Sequence, residues 1–199
     1  MSFIYIFTLS CGKANKEIKI DETKMNNLFN TFDQEIHLKP NMSKAIFDTI
    51  HSWDFGWAIL EPINIAETKE DEIKLAKSFS PGQKALYFFW YLDAQVTNGG
   101  FIQFYWNDYR LYIPAIKEGL KLIGDEELLS LINEVDKYYV LNKNLFDKNK
   151  ELEDWEPLYE NLIEFDQYDD MYYKIHDNTM NLLEKYIRTN PSEFINLIK

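Results

Sequence analysis

One cysteine in 199 residues, Cys11, excludes an internal disulfide framework, because a bridge needs two. Three scattered histidines, His37, His51 and His176, leave no His/Cys set with metal-ligand spacing, and no cofactor is expected. Seven glycines and six prolines supply few turn signals, which argues against many short strands and for long helices. No apolar run approaches the roughly 20 residues that a membrane-spanning helix requires. No Gly-rich loop has phosphate-cradling spacing. Cations are scarce in one half only. Residues 125–199 hold 18 acids against 8 bases, while residues 1–124 hold 15 against 13. The net charges are therefore −10 and −2. Such a chain repels nucleic acid and anionic membranes and attracts basic partners over roughly a Debye length. Direct binding of nucleic acid is accordingly not expected. Apolar residues at 46% and aromatics at 16% exclude a disordered chain.

What is present centres on SPGQKALYFFWYLDAQVTNGGFIQFYWND, from Ser80 to Asp108. Ser80 as N-cap, Pro81 at the first helical position and Gln83 three residues after the cap form a helix-start signature. Leu86, Phe88, Phe89, Trp90, Leu92 and Val96 make the following run too apolar for a surface helix. The run Tyr87 to Tyr91 has no basic residues to supply the electrostatic part of base stacking, so it reads as core. Asn98-Gly99-Gly100 predicts a corner, since glycine reaches φ > 0 cheaply. Phe101, Phe104 and Tyr105 resume at helical spacing, with Gln103 between them, and Asn107-Asp108 ends the second, shorter helix.

The fold class expected is all-α, a single multi-helix domain over residues 21–199. Residues 1–20 form either a plain tail or a lipoprotein signal with its linker. MSFIYIFTLSC, ending in Cys11, could place a lipid on that cysteine, although no lysine or arginine precedes the apolar run. Met25, Leu28, Phe29, Phe32 and Ile36 predict an amphipathic helix, and Met42 to Leu60 predicts another. Ala66 to Ser78 is polar with a weak helical pattern. Tyr112 to Ile123 is a helix closed by Gly124, and Asp125 caps the next one. Asn142 to Lys150 reads as a connection. Asp154 can cap a helix that tolerates Pro157 and continues through Leu158, Leu162 and Phe165. Met171 to Arg188 is helical, and Asn190-Pro191-Ser192-Glu193 opens a last short helix.

Glu151 to Asp170, ELEDWEPLYENLIEFDQYDD, holds nine acids and no lysine or arginine. Glu156, Glu160 and Glu164 recur every fourth residue, which on one helix places them about 6 Å apart along the axis. Like charges at that spacing repel. With Glu153, Asp166, Asp169 and Asp170 they make a surface suited to a basic protein, and the alternative is an ordinary solvated acidic face. A hydrolase using Asp93 and Asp108 ranks last, because no activated nucleophile accompanies them. The chain is read as a binding protein and not an enzyme.

LDAQVTNGGFIQFYWND (Leu92 to Asp108) followed by AIKEGLKLIGDEELLSLI (Ala115 to Ile132) resembles the bacterial DNA-mimic protein family. FDQYDDMYYKI (Phe165 to Ile175) and YIRTNPSEF (Tyr186 to Phe194) resemble the family's closing segments. The resemblance spans roughly 42–194, with the NGGF element, Gln103 and Asn107 its most specific part. It implies an acidic all-helical domain, often a homodimer, whose carboxylates imitate DNA phosphates and occupy a DNA-binding protein. That role places the chain in the cytoplasm. A lipid on Cys11 would instead anchor it to a membrane, and the two readings conflict.

Overall fold

The computed structural model describes residues 28–199. The tail of residues 1–20 with Cys11, and Met25 at the start of the first expected helix, lie outside the described residues. Eight α-helices follow among them: α1 (Lys44–Thr49), α2 (Ser52–Leu60), α3 (Lys69–Leu75), α4 (Pro81–Trp106), α5 (Ile113–Ile123), α6 (Glu126–Glu151), α7 (Glu156–Asn161) and α8 (Glu164–Thr189). β1 (Asn41–Ser43) pairs in parallel with β2 (Asn196–Ile198), bringing the two ends of the described chain together. All-α describes the fold, with this short ladder the one departure among the described residues.

Helix α4 is the axis. Ser80 accepts from the Gln83 N–H while the Gln83 side chain accepts from the Ser80 N–H, a reciprocal cap that satisfies two orphan donors. Phe88, Leu92, Val96, Phe101 and Phe104 on α4 have no exposed surface, and the helix packs chiefly against α5 and α8. Each such side chain contributes about 1.5–3 kcal/mol on burial. Gly124 ends α5 at φ 77°, and Asp125 Oδ1 accepts from Leu128 N at 3.0 Å to open α6.

Several boundaries depart from expectation. The segment 28–38 is a turn and a single 3-10 turn (Gln34–Ile36), not an α-helix. Lys84 Nζ donates to the carbonyls of Leu28, Phe29 and Thr31 and holds that segment to α4. The single helix expected over Met42–Leu60 is split into β1, α1 and α2. Ser52 turns with φ 52° and donates its N–H to Glu184 Oε2 at 2.7 Å, while Arg188 donates to the carbonyls of Phe47 and Ile50. Asn142 to Lys150 is no connection but the last turns of α6, fixed by buried Phe146 and Asn149. The closing helix after Asn190 is a 3-10 turn (Pro191–Glu193) leading into β2.

Candidate functional site: the acidic face and the corner behind it

The acidic segment begins in the final turn of α6. Glu153 reverses the chain at φ 53°, and Asp154 N donates to the Asn149 carbonyl at 3.0 Å. The N-cap of α7 is Trp155, which makes no side-chain cap bond, and not Asp154 as the sequence suggests; Asp154, one residue earlier, still accepts from Glu156 N at 3.2 Å through Oδ1, and Pro157 stands in the first turn. The helix then stops: Leu162 has φ −122° and ψ 52°, and α8 starts at Glu164. Glu156, Glu160 and Glu164 therefore do not share one helix. Leu162 and Phe165 both turn inward, and Phe165 meets Tyr105, Tyr138 and Phe146. The residue spacing alone does not reveal the turn between α7 and α8, because Leu162 and Phe165 at i and i+3 would share one face of an unbroken helix.

Glu153, Glu156, Glu160, Glu164, Asp166 and Asp170 are exposed. Glu164 accepts from the Tyr138 hydroxyl at 2.6 Å, which holds its carboxyl below the usual range. Among the described residues, no lysine, arginine or histidine forms an ion pair with any of the nine acids from Glu151 to Asp170. Some acids elsewhere are paired, such as Asp48 with Lys44, Asp136 with Arg110, Asp147 with Lys143 and Glu184 with Arg188, while others, such as Glu126, Glu127 and Glu134, form no ion pair among the described residues either.

Asp169 faces inward. Its Oδ1 accepts from Phe101 N at 2.8 Å, at the Gly-Gly corner where α4 bends. Gly99 and Gly100 have non-helical angles, Gly100 with φ 72°. A Cβ on Gly100 would lie 2.1 Å from Asp169 Oδ2, so the carboxylate occupies the space that the missing side chain leaves. Burial pushes Asp169 up to about 6, Asp166 and Asp170 push the same way, and the Phe101 N–H opposes them. The Tyr159 hydroxyl donates to the Gly99 carbonyl at 2.8 Å. On the outer side, Gln95 Oε1 accepts from Gln103 Nε2 (3.1 Å) and Asn107 Nδ2 (2.7 Å), and Gln103 Oε1 accepts from Asn98 Nδ2 (2.7 Å). Of the amides singled out in the sequence, Asn98 and Gln103 bond directly, and Gln95, which the sequence did not mark, links Gln103 to Asn107.

Asp93 is buried and accepts from the Tyr172 hydroxyl at 2.7 Å, and His176 Nε2 lies 3.0 Å from the same oxygen. Asp108 is exposed and pairs with Lys150. The two carboxylates have no hydrogen-bond or ion-pair partner in common among the described residues. His37 contacts Gln83 and the Glu193 carbonyl, and His51 contacts Glu184. Among the described residues no three His, Cys, Asp or Glu side chains gather to hold a metal ion, and no helix is long and apolar enough to cross a membrane. Tyr159, Tyr172 and Lys84 were not marked by the sequence. Their partners are remote in the chain, and no local pattern points to them.

A family profile described as DMP19-like protein matches residues 77–190, from just before α4 to the end of α8. The match lies within the span of the resemblance read from sequence and takes in the Gly-Gly corner and the acidic segment. Comparison with curated proteins and with solved structures gives no match.

Proposed function

We propose that this chain, which belongs to the DMP19-like protein family, is an acidic protein-binding module that occupies a basic, DNA-binding partner in place of DNA. The observation that carries the reading is the set of exposed acids from Glu153 to Asp170 with no ion pair among the described residues. Keeping like charges crowded and unneutralised disfavours the fold slightly, and a cationic partner offsets that. The interaction would draw its on-rate from steering and would weaken steeply with salt. A partner that binds DNA would be met in the cytoplasm.

The test is affinity capture with the full chain at low and moderate salt, followed by elution with duplex DNA. The expected result is capture of a basic protein that duplex DNA displaces and that Glu153→Lys, Glu156→Lys and Glu160→Lys together abolish. Capture that ignores both the charge reversal and the DNA would end this reading.

A further inference from the structure

Exposed apolar side chains concentrate beside the acidic segment. Leu141, Leu145 and Leu152 (the last at the C-cap of α6) follow half-buried Tyr138 at offsets of 3, 4 and 7 residues, so at 3.6 residues per turn all four share one face. Tyr138 marks the inner edge of this strip, where its hydroxyl reaches Glu164 and its ring meets Phe165 and Tyr168. The Tyr138 end of the strip therefore lies beside the start of α8, where Ile163 is also exposed. Leu141 is 74% exposed, Leu145 36%, Leu152 64% and Ile163 59%. Spacing of this kind ordinarily turns inward. Here Tyr139 and Phe146 fill the inward face, and the strip is left to water. Acids border it: Glu151, Glu153 and Asp154 around Leu152, and Glu164 next to Ile163, none of them ion-paired among the described residues. Lys148 lies on the same face between Leu145 and Leu152.

Resting on the reading that the acidic half binds a basic protein, we infer that this strip receives a basic amphipathic helix of the partner, about four turns long. Tyr138 to Leu152 spans about 21 Å at 1.5 Å per residue. Apolar residues of the incoming helix at i, i+4 and i+11 seat on Leu141, Leu145 and Leu152, and its flanking lysines or arginines meet Glu151, Glu153, Asp154 and Glu164. A surface that only imitated phosphates would have no use for leucines, since phosphate contacts are polar. A second copy of this chain fits poorly, because it would set one unneutralised acidic border against another.

The experiment titrates the full chain against two fluorescein-labelled peptides of about 15 residues. One is a Leu/Lys helix with its leucines on a single face, and the other has the same composition in scrambled order. Anisotropy should show the amphipathic peptide binding about tenfold more tightly. Leu141→Ser with Leu145→Ser should erase that difference while leaving the salt-sensitive binding of the scrambled peptide intact. Circular dichroism of the variant checks that it folds, as the exposure of both leucines predicts. Equal binding of the two peptides overturns the helix inference and leaves the acidic-surface reading standing. No binding of either at low salt removes both. Sedimentation showing a dimer that the leucine changes dissociate would assign the strip to a second copy, which also overturns the inference.

Discussion

At the scale of single residues, Asp169 shows how position in the fold outweighs composition. In FDQYDD it is one carboxylate among three and reads as surface, yet it fills the space left by Gly100 and caps Phe101. Gly100→Ala would need both φ 72° and a new home for Asp169, and should lose about 2–4 kcal/mol by urea denaturation. Gly124→Ala, at φ 77° with open space around it, should lose only about 1 kcal/mol. Asp169 rises in the fold to about 6 from its ordinary 3.8, so the native chain binds this proton more tightly than the unfolded one. Stability from this group is then greatest below about pH 4 and falls as pH rises through 6. Asp169→Asn should remove that fall, about 1 kcal/mol after allowance for solvent screening, in denaturation curves taken across the range. Lys84 is a second residue that looks like surface in the sequence and is fully buried. Burial brings its ammonium down to about 8, and three carbonyls serve in place of a carboxylate. Lys84→Met strands those carbonyls at about 1–3 kcal/mol, and hydrogen exchange should quicken first over 28–32.

At the scale of elements, what was legible in the sequence was whatever is decided within four residues. The Ser80–Gln83 box, the Gly124 stop and the Asp125 cap all read correctly because each satisfies its own helix end, and the Gly-Gly corner is legible as a bend although Asp169 and Tyr159, remote in the chain, satisfy its backbone. What was hidden depends on distant partners. Leu158, Leu162 and Phe165 would suit one helix, yet the chain turns at Leu162 and Phe165 joins a ring cluster with Tyr105 and Phe146, partners remote in the sequence. The polar stretch after Asn142 looks like a loop until Phe146 is seen in the core. The strands are three residues each and exist only as a pair. The α4–α8 seam belongs to this hidden class, since Asp93 meets Tyr172 and His176 from far along the chain. Tyr172→Phe should cost about 1–3 kcal/mol by leaving Asp93 short of a donor. The Asp93 carboxylate raises His176 above its ordinary 6.5. A raised imidazole adds stability that is complete below 6.5 and lost as pH climbs through the folded value. The His176 ring protons should titrate above 6.5 by NMR, and His176→Gln should flatten the decline in stability over the same range.

At the scale of the whole molecule, the charge is sorted and not spread. Residues 125–199 carry −10 of the −12, and α7 with its flanking turns contributes exposed acids without internal cations among the described residues. Such a surface should behave differently from an ordinary solvated one when salt is added. Screening relieves repulsion within the face, so the wild-type chain should gain stability with salt. The same salt should cost it affinity for a basic partner. Replacing Glu153, Glu156, Glu160, Asp166 and Asp170 by their amides removes the repulsion permanently. Each close like-charge pair is worth a few tenths of a kcal/mol, so the variant should be more stable by about 0.5–1 kcal/mol at low salt. It should also show little further response to salt and lose the basic partner. The two outcomes together separate a face kept acidic for binding from one that is merely polar. A neutralised face that gains no stability and still captures the partner would mean that these carboxylates are already at ease in water, and that recognition lies elsewhere on the molecule.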